Sequence, residues 1–197
     1  MNRRMGSRGD RRIRSEGAGI DMNDFGRHSW VFGDLTALGS VIASVDREAL
    51  DAYALGEESC GLLVGPASEP QRIDGIIPMV NRASALHKLD PVAYPRTGRS
   101  YFDVDSLKFE VARRRGESAG RPVKVLYHSH VDAGAYFSAT DAEVARMGHT
   151  EPPWDLAYLV TSVVGGRIAG RALYIWDARK RDFVESHLEV IEEVPGL

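Results

Sequence analysis

The residues best equipped for chemistry lie close together. His128 and His130 end an apolar run, residues 123–127, that is broken only by Lys124; Ser138 and Asp141 follow within a few residues. On a strand, residues two apart project to the same face, so both imidazoles can aim at one point while Ser129 turns away. Zinc takes imidazole nitrogen at about 2.0–2.1 Å and carboxylate oxygen at similar length, and a catalytic zinc keeps three protein ligands and one open position. Asp141, at the start of a helix expected after the loop, is the nearest carboxylate able to reach back as third ligand. Asp132, two residues past His130 on the turning loop, is its rival. Water in the open position would have its pKa lowered to roughly 7. It needs a general base beside it, and a departing amine needs a general acid. Glu57 and Glu58, just ahead of Cys60-Gly61-Leu62-Leu63-Val64, are the candidates. If Glu58 shares the face of Cys60 and Leu62, it projects towards a site on an adjacent strand. Ser138 offers a hydroxyl that can donate to an oxyanion on the attacked carbonyl.

Elements that could position these groups are legible in the patterning. Residues 46–55 (DREALDAYAL) have an acidic start and an apolar face of Ala49, Leu50, Tyr53 and Ala54, which predicts a helix stopped by Gly56. Residues 29–44 read as either a short helix or an extended lead-in. A buried strand is expected over 59–66, closed by Gly65-Pro66, and a neighbour over 72–80. Residues 81–101 read as one long irregular loop. A helix over 106–117 follows, with Leu107, Val111 and Ala112 as its inner face, then a strand over 123–128 that delivers the histidines. A helix over 140–147 has Ser138 or Thr140 as N-cap. Strands over 156–164, 167–176 and 183–190 complete the chain, the first two joined by a Gly165-Gly166 hairpin turn. Mixed strands and helices of this kind predict one α/β (α+β) domain, helices packed on a mixed sheet.

Composition narrows the classes. The chain has 197 residues, 43% hydrophobic and 27% charged, which is enough for one domain with a real core. No apolar run approaches the roughly 18 residues of a membrane span. One cysteine, Cys60, rules out an intrachain disulfide and is compatible with a reducing cytoplasm. A net charge of -3 gives no reason to expect nucleic acid as the main partner. Residues 1–28 open with Arg3, Arg4, Arg8, Arg11, Arg12 and Arg14 against Asp10 and Glu16, and read as a disordered Arg/Gly-rich tail ahead of a 29–197 domain. No apolar signal core accompanies those arginines. Cys60 reads as a small core side chain, His87 as a surface residue, and His28, His149 and His187 have no partner at ligand spacing.

His128-x-His130, seven residues, then Ser138-x-x-Asp141 resembles the JAMM motif of MPN-domain zinc metalloproteases, and of compact bacterial-type members in particular. Upstream, Glu58-Ser59-Cys60-Gly61-Leu62-Leu63-Val64-Gly65 matches the family's Glu-x-Cys-Gly-Leu-Leu-x-Gly. The resemblance implies a single MPN/JAMM-like domain related to the cytidine-deaminase-like fold. It implies zinc held by His128, His130 and Asp141, Glu58 as the water-activating acid/base, and Ser138 as oxyanion stabiliser. It further implies a peptidase or isopeptidase whose substrate is the C-terminal tail of a ubiquitin-like or sulfur-carrier protein. Two other readings are a non-catalytic MPN-type scaffold, which would typically lack some of these five positions, and a zinc hydrolase of a non-protein amide. A nucleoside deaminase is disfavoured, because its His-x-Glu and Cys-x-x-Cys signature is absent. Val131 stands where many members carry proline, which bears on the shape of the loop after His130, and residues 81–101 are a reasonable place for substrate contacts.

Overall fold

The computed structural model describes residues 33–192, so the expected tail over 1–28 and both ends of the expected 29–197 domain lie outside the described residues. Strands β1 (Leu35–Leu38), β2 (Cys60–Val64), β3 (Arg72–Ile73), β4 (Gly75–Met79), β5 (Val123–Val131), β6 (Ala157–Val164), β7 (Arg167–Asp177), β8 (Asp182–Ser186) and β9 (Leu188–Ile191) alternate with helices α1 (Gly39–Ala54), α2 (Ala83–Leu89), α3 (Ser106–Ser118) and α4 (Ala139–Arg146). The main sheet runs β4-β2-β5-β6-β7-β8, and a small sheet runs β3-β1-β9. Within the main sheet only β5 and β6 pair in parallel. The expected mixed sheet with helices packed on it is therefore what the chain forms.

β2 and β5 are buried along nearly their whole length because both of their faces are covered. Leu63, Val125, Tyr127 and Leu159 join one core with Val41, Ile42 and Val45 of α1. Cys60, Leu62, Leu126 and Tyr158 join the opposite one with Phe109 of α3 and Ala145 of α4. The alternation along the strands thus sorts side chains between an α1 face and an α3/α4 face, and His128 and His130 share the second with Leu126.

Several expectations are corrected. α1 begins at Gly39 rather than 46, because Val41, Ile42, Val45 and Ala49 already form a continuous buried stripe. The ambiguous 29–44 segment, where described, holds both β1 and the start of α1. The expected strands 72–80 and 183–190 each split where the chain changes sheet: β3 and β9 pair with β1, whereas β4 and β8 join the main sheet. Residues 81–101 are not wholly irregular, since Asn81 Oδ1 accepts from Ala83 N at 3.0 Å and opens α2. In α3, Leu107 and Val111 face solvent at 72% and 40% exposure, and Phe109 is the buried residue. A 13-residue helix offered two stripes, and the one carrying the aromatic ring won. That stripe also holds Gly116, where a Cβ would meet Arg121 O at 2.5 Å, so the helix can lie against the start of β5 only on this side.

Lys124 is fully buried and interrupts the apolar run for a reason. The β2–β5 register shifts beside it, pairing Leu63 with Val125 and Val64 with Val123. Its ammonium donates to Pro66 O, Glu69 O and Arg72 O at 2.9, 2.7 and 2.8 Å, closing the loop that follows β2. Lys124→Met strands those carbonyls, and the expected loss is on the order of 3 kcal/mol by urea unfolding; a change under about 0.5 kcal/mol would contradict this role.

Candidate metal centre

β5 presents His128 and His130 on one face at its C-terminal end, and α4 brings Asp141 to them from its first turn. Ser138 is the N-cap, rather than Thr140: its Oγ accepts from Asp141 N at 3.1 Å, and its own N donates to Asp141 Oδ2 at 2.7 Å. This reciprocal cap fixes the Asp141 carboxylate towards the histidines. His128 Nε2 and His130 Nε2 lie 3.2 Å apart, Asp141 Oδ1 is 3.4 Å from the first, and Oδ2 is 3.6 Å from the second. Donors around a tetrahedral zinc at 2.0–2.1 Å would be spaced by about 3.3–3.4 Å. Each imidazole nitrogen thus lies near that spacing from the other and from one of the two Asp141 oxygens. All three side chains are buried.

The ring nitrogens support the same fit. His130 Nδ1 lies 2.8 Å from Gly134 O, an acceptor only, so the proton sits on Nδ1 and the Nε2 lone pair faces His128 and Asp141. His128 has no hydrogen-bond partner at Nδ1 among the described residues; its ring is held by stacking on Phe102, centroids 4.6 Å apart. Burial lowers the His128 pKa, keeping the imidazole neutral, as a ligand must be. Burial also disfavours charge on His130, but the Asp141 carboxylate and Gly134 carbonyl outweigh it and raise its pKa. Burial alone would raise the Asp141 pKa, yet the two imidazoles that face it and the Ser138 N–H it accepts from hold its carboxyl far below the usual range. The cluster is an anionic pocket with convergent lone pairs, and a divalent cation fits it.

Of the two glutamates, Glu58 is 6% exposed and interacts electrostatically with His130 and Asp141. Glu57 instead lies against Gly98. Desolvation, with Asp141 nearby, pushes the Glu58 carboxyl up to about 8; a bound dication would draw it back down. Cys60 is buried with its thiol pushed up to about 12 by desolvation, which suits a core side chain and not a nucleophile. His149 and His187 are exposed, His87 bonds to Tyr94 O, and His28 lies outside the described residues.

One positioning group was not anticipated from the sequence. Asn81 Nδ2 donates to Glu58 O and Tyr101 O, both at 3.0 Å, while its Oδ1 accepts from Ala83 N and Asp103 N. One amide thereby ties the backbone of Glu58 to the 81–103 segment; its place just after an apolar strand was the available signal. Asp132, the rival ligand, points away from the cluster. At φ 53° it accepts from Tyr53 Oη, Arg99 and Gly165 N. The next three carbonyls, of Ala133, Gly134 and Ala135, accept from Ser162, His130 and Tyr174. These bonds shape the loop after Val131 without proline. Beside the cluster, against Phe102 and Thr140, lies a cavity of about 700 Å³.

Residues 42–176 match the family described as prokaryotic homologs of the JAB domain, well over half of the chain. The chain belongs to this family. CysO-cysteine peptidases of Mycobacterium tuberculosis and Mycobacterium bovis are 33% identical over 108 residues, 54% of this chain. That match spans 59% of the length of those relatives. Among solved structures, protein DSY2949 from Desulfitobacterium hafniense aligns with TM-score 0.59 at 21% identity, covering 82% of this chain and 95% of that one. A Salinibacter ruber protein aligns with TM-score 0.53 at 22% identity, covering 80% and 92%. Both likenesses concern the fold alone. Among the described residues no helix is long and apolar enough to cross a membrane.

The donor set makes two outcomes measurable. Elemental analysis after zinc loading is expected to find one ion per chain, and Asp141→Asn should weaken binding by at least about tenfold. Asn81→Ala should leave the zinc content unchanged.

Proposed function

We propose that the chain is a zinc metallopeptidase hydrolysing an amide bond at the C-terminal tail of a ubiquitin-like or sulfur-carrier protein. The observation that carries the reading is the convergence of His128, His130 and Asp141 within ligand distance of one point, with Glu58 buried beside them. Family membership and the peptidase name of the mycobacterial relatives support it.

His128, His130 and Asp141 would hold the zinc, which would supply Lewis-acid polarisation of water and of the substrate carbonyl. Glu58 takes a proton from the attacking water and returns it to the amide nitrogen as the C–N bond breaks. The carbonyl carbon gains the water oxygen and ends as a carboxylate, and the amine leaves as an ammonium carrying both water protons. Desolvation raises the Glu58 carboxyl to about 8, so burial favours its holding a proton. Ser138 suits the oxyanion because its oxygen already accepts from Asp141 N, which leaves the O–H proton to be donated outward. Asn81, through the Glu58 carbonyl, holds the base in register. The tail itself, extended and ending in glycines, would lie beside β2 and β5, with the 81–101 segment against the body of the carrier.

The test is incubation of the zinc-loaded protein with carriers bearing C-terminal extensions, followed by intact-mass measurement. The expected product ends at Gly-Gly and is lost on chelation. Glu58→Gln should keep one zinc yet lower turnover by roughly 10²–10⁴-fold. Cleavage of a small-molecule amide with every carrier left intact would contradict the peptidase assignment.

A further inference from the structure

Glu58 is gripped by its main chain from two sides. Its N–H donates to Gly98 O at 2.6 Å, and its C=O accepts from Asn81 Nδ2 at 3.0 Å. The β2 ladder begins at Cys60, so these grips, and not a neighbouring strand, hold the backbone of Glu58. Both partners belong to one segment, residues 81–99, which leaves β4, turns through α2 and returns. α2 fixes the two grips relative to each other. Asn81 Oδ1 accepts from Ala83 N as the helix opens, and Ser84 Oγ accepts from Gly98 N at 2.9 Å. Gly98 is buried, and a Cβ there would lie 3.0 Å from both Glu57 Cδ and Ser84 Oγ. The missing side chain lets the returning chain come close enough to accept the Glu58 N–H.

The returning arm is tied down at its next residue, where Arg99 Nη2 donates to Asp132 Oδ2 at 3.1 Å. Asp132 lies two residues beyond His130 and is rooted through its other oxygen. Oδ1 accepts from Tyr53 Oη at 2.8 Å and from Gly165 N at 3.2 Å, which ties it to α1 and to the β6–β7 turn. Among the described residues, Oδ2 serves Arg99 alone. One oxygen thus shapes the loop after β5, and the other fastens the 81–99 segment to it.

From this chain of contacts we propose that Arg99 and Asp132 are a pair of positioning residues, fastening the 81–99 segment as a strap that holds Glu58 beside the histidine cluster. This rests on the reading of Glu58 as the general base. Neither side chain touches substrate in this role; each acts through Gly98 on the backbone of Glu58. The two side chains are 60% and 42% exposed, so their pair adds little to global stability. Its effect is local: it sets how often the arm lifts away from Glu58.

Asp132→Asn separates the strap from the loop. Asparagine keeps an oxygen for Tyr53 and Gly165 and tolerates φ 53°, but presents an amide donor to Arg99. Amide exchange at Glu58, followed by NMR in the zinc-loaded protein without substrate, should then rise roughly two- to fivefold, the size of an exposed ion pair. Arg99→Gln should give the same rise, and the double variant should match either single one, because both remove one contact. Ser84→Ala, which strands the buried Gly98 N–H, should raise exchange by about tenfold or more. On a carrier with a C-terminal extension, kcat should fall by the same roughly two- to fivefold factor as exchange rises, with KM and zinc content unchanged. Arg99→Lys, which keeps the charge, should restore part of it. In the Glu58→Gln background Asp132→Asn should have no further effect on residual turnover, since the strap acts through Glu58. Unchanged Glu58 exchange in both single variants, additive effects in the double variant, or a loss confined to KM would overturn the strap. The exchange measurement needs no substrate, so a wild type that cleaves no carrier would overturn the peptidase reading while exchange still decides the strap.

Discussion

The pairing register of β2 with β5 is the constraint on which the site depends. Cys60 lies opposite His128, and the ladder runs on through Ser129 N donating to Ser59 O at 3.0 Å and Ser59 N donating to Ser129 Oγ at 2.8 Å. Continued one step further, it sets Glu58 opposite His130. A slip of one residue would send Glu58 to the α1 face and the histidines away from it. The register is pinned at both ends, at one by the Ser59–Ser129 bonds and at the other by the shift beside Lys124. In between, the ring of Tyr127 lies across Gly61, where a Cβ would come within 2.5 Å of its hydroxyl. Any side chain at 61 would displace Tyr127 and with it the strand that carries both histidines.

The third member of the cluster is placed by a different principle. Asp141 is positioned by local helix chemistry, as the third residue of α4 whose carboxylate caps the backbone N–H of Ser138. The same carboxylate faces two imidazoles, so the helix cap and the metal-binding geometry stabilise one rotamer. Between strand and helix, the loop 132–137 is bonded at consecutive carbonyls to β5, β6 and β7 side chains. His130 is itself one of those donors, so the shape of the loop and the tautomer of that imidazole are a single arrangement. That explains how Val131 can stand in place of a proline.

Much of this was legible because it obeys short-range rules. The period-two spacing of His128 and His130 and the capping pattern Ser138-x-x-Asp141 each encode their geometry locally. The break of the strand at Asp74 and at His187 did not show, since it depends on β1 lying between β3 and β9, far away in the chain. The inner face of α3 was misread because Leu107 and Val111 form as regular a stripe as Phe109 and Ala112. Only the close approach at Gly116 decides between them. Asn81 looked like a loop residue, since a side-chain amide that serves Glu58, Tyr101, Ala83 and Asp103 at once has no sequence period.

The central claim is that two strand histidines and one helix-capping aspartate form a single metal centre. X-ray absorption at the zinc edge of the loaded protein measures this directly. The account predicts two imidazole nitrogens and oxygen ligands at about 2.0–2.1 Å, with no sulfur. A sulfur shell near 2.3 Å, which would bring Cys60 into the coordination, or a spectrum with no imidazole scattering, would contradict it.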